Sequence, residues 1–179
     1  MLPAYRHAHR TQRCDDVCMQ LSRSFQLAEF LRSETATRFK IENDIDDASL
    51  ENLKALVANV LQPLRDAIDQ PLRINSGFRT QRLNQKIGGA KNSQHMRGEA
   101  ADVEATFLDN RALAQTIIDL KLPFDQLILE HHYAEDPRSG WVHVSHSRVH
   151  NRGDVITTRR DRFGFVQGLD GIDVSTSRF

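Results

Sequence analysis

An α+β fold, with an antiparallel sheet covered by helices on one side, is what this sequence predicts. Two observations carry that expectation. Segments with helical periodicity come first and short alternating segments cluster later, and the two do not alternate in the strand–helix–strand order of a parallel sheet. Length adds a third, because 179 residues suit one domain; a chain of about 150 residues buries roughly 70% of its unfolded surface.

Residues 1–20 are polar and lack apolar periodicity, so an arm outside the domain and without fixed structure is expected there. From Phe25 the pattern tightens: Leu27, Phe30 and Leu31 recur at helical spacing, and QLAEFLRSETATRF reads as one short helix. IENDIDDA is a loop. Ser49 then caps a helix whose stripe of Leu50, Leu53, Leu56, Val57, Val60, Leu61 and Leu64 is the longest periodic signal in the chain. Pro63 has no backbone N–H to donate, which predicts a kink or an early end. Leu72 and Ile74 alternate with Arg73 and Asn75 in a strand that stops at Ser76 and Gly77. TQRLNQKI is a brief helix ended by Gly88 and Gly89, and AADVEA is a short strand. Asp109 caps a second amphipathic helix, DNRALAQTIIDLKL. DQLILE and WVHVSH are strands separated by the polar loop HHYAEDPRSG, which makes His131 and His132 surface residues. Past Arg148 the chain turns arginine-rich and no element is defined. These readings give one domain over residues 21–165 and a tail over 166–179.

Bulk charge narrows the partners. Lys plus Arg and Asp plus Glu number 24 each, so no whole-molecule field draws the chain to nucleic acid or to an anionic membrane. The segment SRVHNRGDVITTRRDRFGF offsets its arginines with Asp154 and Asp161 and has no aromatics beyond Phe163 and Phe165, so it reads as a solvated face. Cys14 and Cys18 are four apart, unlike C-x-x-C sites, and read as free thiols. The N-terminal segment has no apolar core before Asp15 and Asp16, and no apolar run approaches the ~20 residues that span a bilayer. A monomer made in the cytoplasm, without a signal peptide or membrane insertion, is expected.

Chemistry concentrates in SQHMRGEAADVE, residues 93–104. A catalytic zinc takes three protein ligands from nitrogen, sulfur or oxygen and leaves a fourth position for water. His95 and Asp102 qualify if a turn at Gly98 folds the histidine back beside the strand, and the small Ala100 and Ala101 ease that return. In WVHVSH, alternation sets Trp141, His143 and Ser145 on one face, with Val142, Val144 and His146 on the other; the buried valines leave His143 facing the opposite space. Glu130 ends DQLILE and shares a face with Gln126 and Ile128, so an adjacent strand brings it toward the same place.

The pattern S-x-H-x-x-G-x-A-x-D with a later W-V-H-V-S resembles the zinc D-alanyl-D-alanine carboxypeptidases and related peptidoglycan peptidases. FQLAEFLRSETA, NLKALVANVLQPLRD and INSGFRTQRLNQKIGGAKNSQH look like the phage-associated branch, which is related to the L-alanyl-D-glutamate endolysins. The similarity runs from about Phe25 to Ser147. It implies a carboxypeptidase/hedgehog-like fold with the metal at the sheet, and one Zn2+ per chain held by His95, Asp102 and His143. The implied substrate is the peptide stem of the bacterial cell wall, cut by a carboxypeptidase or an endopeptidase after lysis or delivery. Arg79, in SGFR, matches the arginine such enzymes direct at the substrate or the developing oxyanion. Ser93 and Gln94 are candidate peptide contacts, and Trp141 is either a wall of the substrate groove or core packing.

One departure stands out. Several relatives place the catalytic carboxylate three residues before the last zinc histidine, and here that position is Gly140. The general base is therefore assigned to Glu130, with Glu99 and Glu135 as alternatives. The same departure motivates a second reading, a non-catalytic zinc-containing module that binds wall fragments or a protein partner.

Overall fold

The computed structural model describes residues 19–133, 135–159 and 165–169. The arm up to residue 18, with Cys14 and Cys18, lies outside the described residues, as do residues 160–164 of the arginine-rich segment and the tail beyond residue 169. Helices α1 (Leu27–Leu31), α2 (Glu34–Phe39), α3 (Asp47–Leu56), α4 (Gln62–Ile68), α5 (Gln81–Lys86) and α6 (Asn110–Asp119) accompany a six-stranded sheet. Its strands are β1 (Leu72–Ser76), β2 (Ala100–Ala105), β3 (Gln126–His132), β4 (Trp141–Ser145), β5 (Asp154–Arg159) and β6 (Phe165–Gln167), in the order β1-β2-β4-β3-β5-β6. The fold class is α+β as predicted.

Neighbouring strands run antiparallel except β3 and β5, which pair in parallel, so the sheet is mixed rather than wholly antiparallel. The cause is a connection that hops across β3 after β4 and lays the first part of the arginine-rich segment along the free edge of β3. Alternation sorts the faces. Ala101, Val103, Leu127, Leu129, Val142 and Val144 turn toward the helices and form one core with Leu53, Leu56, Leu61, Leu113 and Ile117. The opposite face of β2, β4 and β3 carries Asp102, His143, Gln126 and Glu130, with Ile128 and Trp141 among them.

Three helical expectations are corrected. QLAEFLRSETATRF forms two helices, because Arg32 is extended and the Ser33 hydroxyl accepts from the Ala36 amide to start α2. The long helix begins at Asp46, whose carboxylate accepts from the Ser49 amide at 2.9 Å, so Ser49 sits inside the first turn. At Pro63 the helix does not stop: a π-helical turn over Val57–Leu61 widens the ladder just before the proline, and the helical path continues to Ile68 with its stripe buried. His132 is also not a loop residue but a buried member of β3.

Candidate metal centre

The polar face of the sheet gathers the three predicted ligands. His95 lies in a single 3-10 turn, Gln94–Arg97, which ends at Gly98 with φ +68°. A Cβ on Gly98 would stand 2.1 Å from the Ser49 carbonyl oxygen, so both the left-handed backbone and the packing against α3 require glycine. The chain then enters β2, where Asp102 pairs directly with His143 of β4.

His95 Nε2 lies 3.2 Å from His143 Nδ1 and 3.2 Å from Asp102 Oδ1, and His143 Nδ1 lies 2.9 Å from Asp102 Oδ1. All three residues are buried. Ligands about 2.0–2.1 Å from a tetrahedral zinc stand about 3.3–3.4 Å apart, so this triangle is close to the size the ion would need, and all three residues line the cleft. The donor set fits as well. His95 Nδ1 donates to the Gly77 carbonyl at 2.7 Å, which leaves Nε2 as the lone-pair nitrogen. Burial pushes the His95 pKa down against the pull of Asp102 and keeps the imidazole neutral. Burial opposes ionisation of Asp102, but its contacts with His95 and His143 outweigh it and hold the carboxyl well below the usual range. Among the described residues this is the one cluster of three or more His, Cys, Asp or Glu side chains with metal-ligating geometry.

A cleft of about 930 Å³ opens over the triangle. Arg79, Ser93, Gln94, Glu130 and Trp141 all line it. Arg79 Nη2 donates to Asp102 Oδ2 at 2.8 Å and its Nε to Ser76 Oγ at 2.9 Å, so the guanidinium grips the carboxylate from the side away from the histidines. Gln94 donates its amide to Asp125 at 2.9 Å. Glu130 lies opposite Trp141 and therefore diagonal to His143 on the same face, a spacing of about 7–8 Å between backbones that leaves room for a water. Burial raises its pKa, and the neighbouring charge of Asp102 adds to the rise. Of the alternative bases, Glu99 lines the cleft but is paired with Arg97 at 2.6 Å, while Glu135 is exposed and away from it.

Other residues of the cleft carried no signal in the sequence. Asp125 is buried and accepts from the Arg152 backbone and, in a fork, from its Nε and Nη2 at 2.9 and 2.6 Å. Arg152, read as part of a solvated face, lines the cleft. His131 has φ +53° and its ring lies 5.0 Å from that of Trp141 on the cleft wall.

Comparison with known proteins gives a family for the chain. A family model described as Peptidase M15 matches residues 23–145, more than half of the chain. A zinc D-Ala-D-Ala carboxypeptidase from Streptomyces albus G is 48% identical over 56 residues, which cover 31% of this chain and 22% of that protein. The matched stretch thus spans about a fifth of the curated relative's length.

Proposed function

The chain belongs to the Peptidase M15 family, and from that premise we propose a zinc-dependent peptidase that hydrolyses peptide bonds in the stem of bacterial peptidoglycan. His95, Asp102 and His143 hold one zinc ion per chain, and Glu130 is the general base. The observation that carries this reading is the triangle of two imidazole nitrogens and one carboxylate oxygen, with a half-buried, protonatable Glu130 across the cleft. The zinc-carboxypeptidase relative supports the substrate class.

Zinc bound there supplies Lewis acidity toward the scissile carbonyl and acidifies a water toward a pKa of about 7. Glu130 takes the proton of the attacking water and delivers it to the leaving amine, which its raised proton affinity favours. Arg79 holds Asp102 in its ligating orientation through Oδ2 and adds fixed positive charge beside the developing oxyanion. Trp141 forms the wall at the Glu130 end, and Ser93 and Gln94 flank the substrate at the turn before His95.

Glu130→Gln tests the assignment. The variant is expected to keep about one zinc per chain while turnover falls by about 10²–10⁴; full activity would move the base elsewhere, and a wild-type chain that stays metal-free in excess zinc would end the reading. A non-catalytic wall-binding module, motivated by Gly140, makes the opposite forecast for purified peptidoglycan: binding with no new amines and no released D-alanine.

A further inference from the structure

Strand β3 departs from alternation at one position. Leu127 and Leu129 turn into the core while Gln126, Ile128 and Glu130 line the cleft, so the next residue is due on the core side. His131 is instead exposed and lines the cleft with Glu130, and His132 takes the buried position. The pairing with β5 shows how. Leu129 lies opposite Thr157 and His132 opposite Arg159, so Glu130 and His131 together face the one residue Thr158 in a β-bulge, with His131 at φ +53°.

Neighbours hold the bulge on both sides. From β5, the Thr158 hydroxyl accepts from the His131 amide at 3.1 Å. Beside β4, Gly140 makes room for it, since a Cβ there would stand 2.9 Å from the His131 carbonyl carbon. A left-handed backbone disfavours any residue with a Cβ, and such strain persists where the surroundings over-determine it, most often at binding and catalytic sites. Glycine would meet the same demand without cost, yet this position carries an imidazole. Its ring lies 5.0 Å from that of Trp141, tilted by 53°, and Trp141 is the residue opposite Glu130 on β4. The wall beside Glu130 thus pairs an indole, which offers apolar cover, with an imidazole, which offers a hydrogen-bond donor.

We propose that His131 is a specificity-determining residue: its imidazole and the Trp141 indole clasp the stretch of substrate peptide beside Glu130, the indole covering apolar atoms and the imidazole N–H donating to a peptide carbonyl. The proposal rests on the peptidase reading above. Trp141 is the only tryptophan of the chain, so its emission reports on this wall. In the zinc-loaded Glu130→Gln chain, titration with a soluble stem-type peptide is expected to change that emission, and adding His131→Gly should raise the half-saturating concentration about tenfold. No change of emission, or an unmoved midpoint, overturns the proposal. In the otherwise wild-type chain, His131→Gly should raise KM about tenfold and alter kcat by less than about twofold, while Tm holds or rises because glycine accepts the left-handed backbone. A fall in Tm with KM unmoved would make the ring a structural part of the bulge and overturn the clasp. His131→Asn tolerates the same backbone without the ring and carries the same forecast, which guards against a folding defect peculiar to the glycine variant. The two readings separate. A wild-type chain that cleaves no peptide yet binds it with a His131-dependent midpoint ends the peptidase reading and keeps the clasp, whereas cleavage with midpoint and KM both unmoved ends the clasp alone.

Discussion

At position 140 the backbone has φ +68°, and a Cβ there would stand 1.7 Å from the Glu130 carbonyl oxygen. No side chain fits at position 140 without a shift of the backbone, and the carbonyl that excludes it belongs to Glu130, whose side chain lines the cleft. Gly140→Ala is therefore expected to lower stability by about 1–3 kcal/mol, read as a drop in Tm. Gly140→Glu in a Glu130→Gln background should restore no turnover; recovery of activity would show that position 140 still has access to the metal. Glu130 makes a second prediction. Its pKa is raised first by burial and then by the charge of Asp102, and a divalent cation on Asp102 reverses the sign of that second contribution. Carboxyl NMR, with Glu130→Gln to identify the signal, should show Glu130 titrating at higher pH in the metal-free protein than in the zinc-loaded one. An equal or higher value with zinc would place Glu130 away from the site.

Elements hold these residues through contacts that lie far apart in the chain. The side chain of Asn110, the first residue of α6, donates to the carbonyls of Arg138, Ser139 and Gly140 at 2.9, 3.2 and 3.0 Å and is buried. It fixes the loop that delivers Trp141 and His143 into β4. Asn110→Ala leaves those carbonyls without their donor and is expected to cost about 1–3 kcal/mol, with a weaker hold on zinc in chelator competition; unchanged stability and zinc affinity would make the clamp incidental. Nothing local in DNRALAQ announces this role, although the Asp109 cap beside it is read from sequence and found, accepting from Ala112 at 2.7 Å. The same contrast holds for strands. β1, β2 and β4 alternate or pack as short apolar runs and are legible, whereas β5 is recognisable only through its partner β3. Local rules predict a kink or an early end at Pro63; the early end does not occur, because the buried stripe on both sides of the proline outweighs those rules at the level of packing.

In the whole molecule, the candidate triangle was legible in two steps: a glycine turn beside a strand and period-two alternation in WVHVSH made His95, Asp102 and His143 candidates, and the resemblance to the zinc peptidases joined them into one ligand set. The Asp125–Arg152 pair was not, since it joins residues 27 positions apart with no periodicity to flag either. Yet it ties together the turn that carries His95, through Gln94, the start of β3, and the segment leading into β5. Hydrogen bonds from the Arg152 side chain, set against the lesser effect of burial, bring the Asp125 pKa down from 3.8 to about 2. The sign follows from that direction: the folded state binds a proton more weakly than the unfolded chain, so the stabilisation is complete above about pH 4 and is lost as pH falls through about 2. With Arg152 half exposed, screening limits the contribution to about 1–2 kcal/mol. Urea midpoints at pH 5 and pH 2.5 should therefore differ more in the wild type than in Asp125→Asn, and the variant should be less stable at pH 5 because it leaves the Arg152 charge unmatched. An identical acid-induced loss in both proteins would mean that other carboxylates carry the pH dependence and that this pair does not brace the cleft.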